Sequence, residues 1–303
     1  MAAPLASTIP APRPMTDTST RGGIAVADPA DPTLAQATVI RLRAGRAETV
    51  QDFLAVEEPL EIRLGYTDPR KGRVHRSVSI TMRTPGRDTD LALGFLYSEN
   101  IIHSHALITS VDASKPNVIR IELADDARFD ALRLERHFYT TSSCGVCGKA
   151  SLEALSTAGH DALPDGNLRV PAALLHQVAN DLRTQQVLFN ATGGNHAVGL
   201  FDASGAIALI AEDVGRHNAM DKLVGALFQQ GKLPLRDHGI ILSGRASFEL
   251  VQKALAAGCA FVAAVGAPSS LAVELAQEFN ITLAGFIGER GFNIYHGAAR
   301  IQL

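Results

Sequence analysis

The sequence predicts an α/β protein in two parts: a small α+β domain, then a larger α/β domain around a mixed or mainly parallel sheet. Three observations carry that expectation. Before about residue 140, apolar residues alternate with polar ones, as in Leu60, Ile62, Leu64 and in Val78, Ile80, Met82, the two-residue period of half-buried strands. After about residue 166, short apolar runs alternate with helical repeats, the pattern of a sheet sandwiched by helices. Between them lies a glycine-containing seam, Thr141-Ser-Ser-Cys144-Gly-Val-Cys147-Gly-Lys149, which holds two of the chain's three cysteines.

Residues 1–35 are rich in Ala, Pro, Thr and Asp, which predicts a disordered tail. No basic start leads into an apolar core there, so the tail reads as neither an export signal nor a membrane anchor. The small domain is expected over 36–140. Thr67-Asp-Pro-Arg-Lys-Gly72 is a turn by composition and joins the two alternating runs into a hairpin. A helix through Leu91–Tyr97 opens from Thr84-Pro-Gly-Arg-Asp-Thr-Asp90, with Asp88 or Thr89 as its cap. A second strand pair ends in Val118–Leu123. The arginines at 41, 43, 63, 70, 73, 76, 83 and 87 are expected to line a solvated face, docking of an acidic partner or phosphate being the lesser alternative.

The seam and a connecting segment occupy 141–165, and the larger domain 166–303. Pro171 begins a helix with Leu174, Leu175, Val178, Ala179 and Leu182 on one face. Gln186–Ala191 reads as a strand. His196–Phe201 and Ala206–Ala211 form a hairpin around Asp202-Ala-Ser-Gly205. Helices are expected over 218–229, 246–257 and 271–279, the last capped by Ser269 and Ser270. Strands are expected over 239–242, 259–265 and 281–287.

Hydrophobic content of 46% and charged content of 19% describe an ordinary soluble globular chain. A net charge of −3 gives no reason to expect nucleic acid, and no run is long and apolar enough to span a membrane. Few cysteines and no export signal point to the cytoplasm.

The chemistry concentrates in the seam. Lys149-Ala-Ser-Leu-Glu-Ala-Leu155 is a good helix former, so Cys144 and Cys147 are expected at or just before a helix N-terminus. The helix dipole and Lys149 there favour a thiolate. Gly145 and Gly148 leave the sulfurs uncovered. A structural zinc needs four ligands, and no second Cys-x-x-Cys exists; a thioredoxin-type pair lacks its βαβ lead-in. Three cysteines in 303 residues are no secreted disulfide framework. A reactive thiol is the favoured reading. Cys259, in the run Cys259-Ala-Phe-Val-Ala-Ala-Val265, is expected to be a buried small hydrophobe.

In such a sheet, ligands bind beyond the carboxyl ends of the strands. The loops there read Thr192-Gly193-Gly194-Asn-His196, Glu212-Asp213-Val-Gly-Arg216-His217-Asn218, Ser243-Gly244-Arg245-Ala-Ser247, Pro268-Ser-Ser270 and Gly288-Glu289-Arg290-Gly291. Glycine-flanked backbone amides and helix N-termini bind anions, and Arg216, Arg245 and Arg290 supply phosphate-matching forks. Glu212, Asp213 and Glu289 could accept hydrogen bonds from a base or sugar, although Asp213 could equally be a cap. Taken singly each loop is an ordinary turn; gathered at one rim they point to a phosphate-bearing, nucleotide-like ligand. His196 is as readily structural as functional, and His217 leans to function. There is neither a P-loop nor a Gly-x-Gly-x-x-Gly.

These residues resemble a known family. Ser143-Cys144-Gly-Val-Cys147-Gly-Lys149, Thr192-Gly-Gly-x-His196, Glu212-Asp-Val-Gly-Arg-His-Asn-Ala-x-Asp-Lys222 and Ser243-Gly-Arg-x-Ser247 are similar to the FdhD/NarQ formate dehydrogenase accessory proteins. The resemblance implies a smaller N-terminal domain, a C-terminal three-layer domain like that of cytidine deaminases, and a homodimer. It implies sulfur carriage from a cysteine desulfurase to the molybdenum or tungsten of the bis(molybdopterin guanine dinucleotide) cofactor, for formate dehydrogenase, with GDP as a weak surrogate ligand. Cys144 would carry the persulfide and Cys147 relay it. Phe286, Ile287, Gly288, Glu289, Arg290 and Gly291 would match the family's cofactor-binding segment. The rivals are a zinc deaminase, which would need a His-x-Glu (or Cys-x-Glu) followed later by Pro-Cys-x-x-Cys, and a cofactor chaperone that transfers no sulfur. No His-x-Glu occurs, and no bound metal is expected.

Overall fold

The computed structural model describes residues 24–28, 31–127, 161–166 and 168–303. Strands β1 (Ile24–Asp28), β2 (Asp31–Arg43) and β3 (Arg46–Ala55) form an antiparallel sheet. The tail expected through residue 35 is therefore corrected: strand pairing begins at Ile24, opposite Ala37. Residues 1–23 lie outside the described residues. The β2–β3 hairpin pairs from Leu34↔Ala55 to Arg43↔Arg46. Near its outer end Ile40 and Leu42 are exposed.

A second sheet has the order β5-β4-β7-β6, built from β4 (Glu58–Asp68), β5 (Gly72–Arg83), β6 (Ile108–Asp112) and β7 (Val118–Leu123). Leu60, Ile62 and Leu64 of β4 are buried as their alternation predicts. The matching expectation for β5 is corrected by a β-bulge. Ile62 pairs with Ser79 but Arg63 pairs with Ser77, so Val78 is the extra residue. Val78 turns into the core, whereas Ile80 and Met82, 60% and 48% exposed, sit on the outer face. A shift of one residue moves a strand's whole apolar set to the other side.

Helix α1 (Asp88–Ser98) covers this sheet through Leu91, Leu93 and Leu96. Its cap is neither Asp88 nor Thr89 but Arg87, in the left-handed region at φ 57°. The Asp88 carboxylate is already taken by Arg83, at 2.9 and 2.8 Å. Arg83 is itself buried, so it leaves the expected solvated arginine face; an Arg–carboxylate fork removes that charge from water at tolerable cost.

The larger domain is a mixed six-stranded sheet of order β10-β9-β11-β12-β13-β14. Its strands are β9 (His196–Phe201), β10 (Ile207–Asp213), β11 (Gly239–Leu242), β12 (Phe261–Ala264), β13 (Thr282–Gly288) and β14 (Gly291–His296). Only β11, β12 and β13 are mutually parallel. Helix α2 (Ala172–Gln185) packs on one face, beside the short pair β8 (Val170–Pro171) and β15 (Ile301–Gln302). Helices α4 (Arg216–Gln229), α5 (Phe248–Ala256) and α6 (Ser270–Glu278) cover the other, giving three layers. Ser269 caps α6 as expected, accepting from Ala272 N. Cys259 is fully buried in this core, and burial pushes its thiol up to about 12.

Gln186–Ala191 is a correction: it is not a strand, and the short helix α3 (Val187–Thr192) takes its place. Both oxygens of Glu212 accept from the first amides of that helix, Leu188 N and Phe189 N, each at 3.0 Å. A distant carboxylate at a helix start overrides the strand preference of Val-Leu-Phe.

The domains meet where α1 crosses α4, at backbone contact. A Cβ on Gly94 would lie 1.8 Å from Asp221 O, and one on Gly225 would lie 1.8 Å from Asp90 O. Neither obstacle is a movable side chain. Gly225→Ala should therefore cost at least about 2 kcal/mol by forcing the helices apart. Denaturant unfolding of the variant against wild type checks this, and an unchanged midpoint would contradict the crossing.

Candidate functional site

The strand order brings the loops singled out in the sequence to one rim. Asp213, at the end of β10, pairs with His196, at the start of β9. Ser243 follows β11, which lies between β9 and β12, and the turn Gly288–Gly291 joins β13 to β14. The rim is stitched by backbone bonds: Ser243 N donates to Ala197 O, Gly266 N to Gly244 O, and Phe286 N to Gly266 O. Gly266 is needed for this, because a Cβ there would stand 2.9 Å from Arg245 N and from Gly244 C.

The run Glu212–Lys222 divides into residues that hold the rim and residues that face out of it. Asp213 is fully buried and pairs with Lys222 at 2.7 Å. It also accepts from Thr84 N, Gly215 N and Asn218 Nδ2. Asn218 accepts from Thr81 Oγ1 and donates to Met82 O. Asp221 pairs with Lys253 at 2.8 Å, and Glu99, which follows α1, joins them at 3.4 Å. Lys222 Nζ donates to Thr84 O at 2.8 Å. The carboxylate of Asp213 thus serves the interior of the protein, whereas Arg216 faces outward and His217 is half-buried, with its Nε2 enclosed and without a hydrogen-bond partner.

Two clefts open along the rim. The first is a shallow indentation of about 10 Å³ lined by His196, Arg216, Ser243, Gly244 and Arg245, together with Val198, Leu242 and Leu250. Ser243 Oγ accepts from Ala197 N and so points back into the sheet. His196 is half-buried; burial first, then the charge of Arg216 and the nearness of His217, holds its pKa below the ordinary imidazole value. It is therefore neutral at pH 7 and offers one donor and one acceptor. His217 Nε2 lies 3.9 Å from Glu249 Oε2, beyond hydrogen-bond length. The polar contact of the His217 imidazole is still the main cause that holds the Glu249 carboxyl down at about 2.

The second cleft is lined by Phe286, Gly288, Glu289, Arg290 and Gly291. Phe286 has φ 57° and is 53% exposed, an uncommon backbone for an aromatic residue and one found at functional turns. Ile287, beside it, is buried in the α2-side core, so only its backbone faces the turn. Arg216 and Arg245 thus share a cleft, while Arg290 stands in the other, across the β12 loop. Among the described residues, none of these three guanidiniums has a carboxylate within 4.0 Å. Thr192 Oγ1 bonds Leu188 O and accepts from Gly194 N, and Gly193 has nothing near its Cβ position. Cys144 and Cys147 lie outside the described residues.

Sequence reasoning missed Thr84, Glu249 and Lys253 as parts of this site, and it quoted Asn195 and Lys222 inside motifs without assigning either a role. A signal was present for two of them: Lys222 and Lys253 fall among the apolar residues of α4 and α5, where a charge requires a partner.

Fold and rim together define a two-domain α/β protein with basic, glycine-lined clefts at the strand ends of its larger domain. The chain belongs to the FdhD/NarQ family, whose model matches residues 55–302. It is 46% identical over 272 residues to the sulfur carrier protein FdhD of Mycolicibacterium paratuberculosis, covering 87% of this chain and 97% of that one. It is 46% identical over 275 residues to that of Streptomyces coelicolor, covering 88% and 94%. The sulfur carrier protein FdhD of Sulfurisphaera tokodaii is 38% identical over 263 residues, covering 87% and 97%. A solved protein from Desulfotalea psychrophila, assigned as a formate dehydrogenase accessory protein, shares the fold with a TM-score of 0.67 at 20% identity, covering 89% of this chain and 100% of that one. Among the described residues no helix is long and apolar enough to cross a membrane.

The Asp213–Lys222 pair yields a direct test. Lys222→Met strands a buried carboxylate and should cost about 3–5 kcal/mol, whereas Asp213→Asn with Lys222→Met should recover part of that loss. Denaturant unfolding of both variants measures the difference.

Proposed function

We propose that the chain is a sulfur carrier that acts in the maturation of formate dehydrogenase. The Cys144 thiolate attacks the outer sulfur of a persulfide on a cysteine desulfurase. The donor's S–S bond breaks, the donor cysteine leaves as a thiolate, and Cys144 holds the sulfur as its own persulfide. Cys147, three residues on, relays or resolves it. The destination is the metal of a bis(molybdopterin guanine dinucleotide) cofactor, molybdenum or tungsten, which is the cargo and not a resident group. The protein would work in the cytoplasm as a homodimer.

What carries this reading is 46% identity, over 87–88% of the chain, to proteins named sulfur carriers, in a chain that has Cys144-Gly-Val-Cys147. The rim supports the cargo assignment. Arg216 and Arg245 present forks to phosphate in a cleft whose wall includes Gly244. In the second cleft Glu289 would accept from the ring N–H and the amino group of a guanine edge, a pair that adenine lacks.

Mass spectrometry of the Cys144 peptide, after incubation with a desulfurase and cysteine, should show one added sulfur. Cys144→Ala should fold normally and leave formate dehydrogenase inactive; full dehydrogenase activity would remove this thiol from the mechanism. Cys147→Ala should be impaired less severely.

GDP should bind better than ADP in calorimetric titration. Arg245→Ala and Arg290→Ala should each weaken GDP by about ten- to a hundredfold, the loss of one charge-assisted hydrogen bond. Equal affinity for the two nucleotides would mean that the base is not read at this rim.

A further inference from the structure

We propose that Thr84, contributed by the N-terminal domain, is a positioning residue of the rim: its buried hydroxyl ties together the two loops that carry His196 and Arg216. Thr84 follows β5 and is completely buried. Its Oγ1 accepts from Val214 N at 3.1 Å and from Asn195 Nδ2 at 3.3 Å. Val214 stands two residues before Arg216, and Asn195 immediately before His196. The Thr84 backbone is locked as well, with N donating to Asp213 and O accepting from Lys222. The hydroxyl is thus held from behind and offered to both loops.

The Asn195 loop is tied at its start by Gly193 N to Phe189 O and Gly194 N to Thr192 Oγ1, and Asn195 itself depends on Thr84. Asn195 is 3% exposed and its Oδ1 has no hydrogen-bond partner, so the bond to Thr84 is the one its side chain makes. Gly193 has nothing within 4 Å of its Cβ position, and Gly194 approaches only Thr192 and Ala55 there. Removing the hydroxyl leaves Val214 N–H and the Asn195 amide unpaired in the interior. Buried unpaired groups are expensive, so the loops would shift to find water. That shift would move His196 and Arg216 relative to each other and expose the imidazole.

The test compares Thr84→Val, which keeps the shape, with Thr84→Ser, which keeps the hydroxyl. Leu64→Ala, a truncation in the core of the four-stranded sheet, controls for lost stability alone. Two readouts are taken on folded full-length protein: GDP affinity by calorimetry and the His196 titration by NMR. The first rests on the functional reading above; the second does not. Thr84→Val should weaken GDP about tenfold, and the His196 midpoint should rise toward the ordinary imidazole value. Thr84→Ser should stay within about twofold of wild type for GDP, and Leu64→Ala should lower the melting temperature while leaving both readouts in place. Wild-type values for both readouts in Thr84→Val, or the same losses in Leu64→Ala, would overturn the proposal. If Thr84→Val does not fold, Asn195→Ala removes one of the two bonds from the rim side, and wild-type values there overturn it equally. If wild-type protein binds no GDP, the nucleotide reading fails and the His196 titration alone decides on Thr84.

Discussion

The rest of the structure depends on a buried ion pair. Asp213 and Lys222 lie 2.7 Å apart with side chains 0% and 3% exposed. Two charges withdrawn from water are stable together only if their remaining hydrogen-bond capacity is also used. It is used: Asp213 accepts from Thr84 N, Gly215 N and Asn218 Nδ2, and Lys222 donates to Thr84 O. Thr84 belongs to the N-terminal domain. Pulling the domains apart would therefore take a hydrogen bond from each charge, although the pair itself lies within the larger domain.

The same seam is reinforced along its length. Arg87 donates to Ile210 O and Lys222 O, reaching from the start of α1 onto β10 and α4. Glu99, at the other end of α1, meets Lys253 of α5, already paired with Asp221. Between these polar ends, Gly94 and Gly225 let the helix backbones touch. Of these pairs it is Glu99–Lys253 that crosses between the domains, and with the Arg87 bonds it fixes register, while the glycines fix distance. The six-stranded sheet is thereby held against a second domain, and its rim loops rest on a firm base.

This arrangement assigns different work to neighbouring residues. From Glu212 to Lys222, the carboxylate of Glu212 starts α3, Asp213 and Lys222 join the domains, Asn218 holds the end of β5, and Asp221 neutralises Lys253. Arg216 is the charged group of the run left exposed, with His217 half-buried beside it. A functional rim thus needs more residues behind it than in it. Interior partners hold the outward groups at fixed separations, which keeps the ordering cost of binding low.

By itself the sequence determined the element inventory and the chemistry available. Periodicity marked β4 and α2, and the alternation of strand and helix placed the loops with Arg216, Arg245 and Arg290 at one rim. The run around Cys259 declared a buried thiol, and the motifs at Cys144 and Glu212 declared the family. Local patterns carry that much because strand and helix periods, turn residues and caps act over a few residues. Only the tertiary structure decided the rest. A bulge at Val78 turned Ile80 and Met82 outward, Glu212 made a helix of Val187–Thr192, and Arg83 found a buried partner in Asp88. It also split the arginines between two clefts and made Asp213 an interior residue. Each of these turns on a contact whose partner, or whose register, cannot be read from the residue alone, and a charge's role depends on whether folding brings it to water or to an opposite charge.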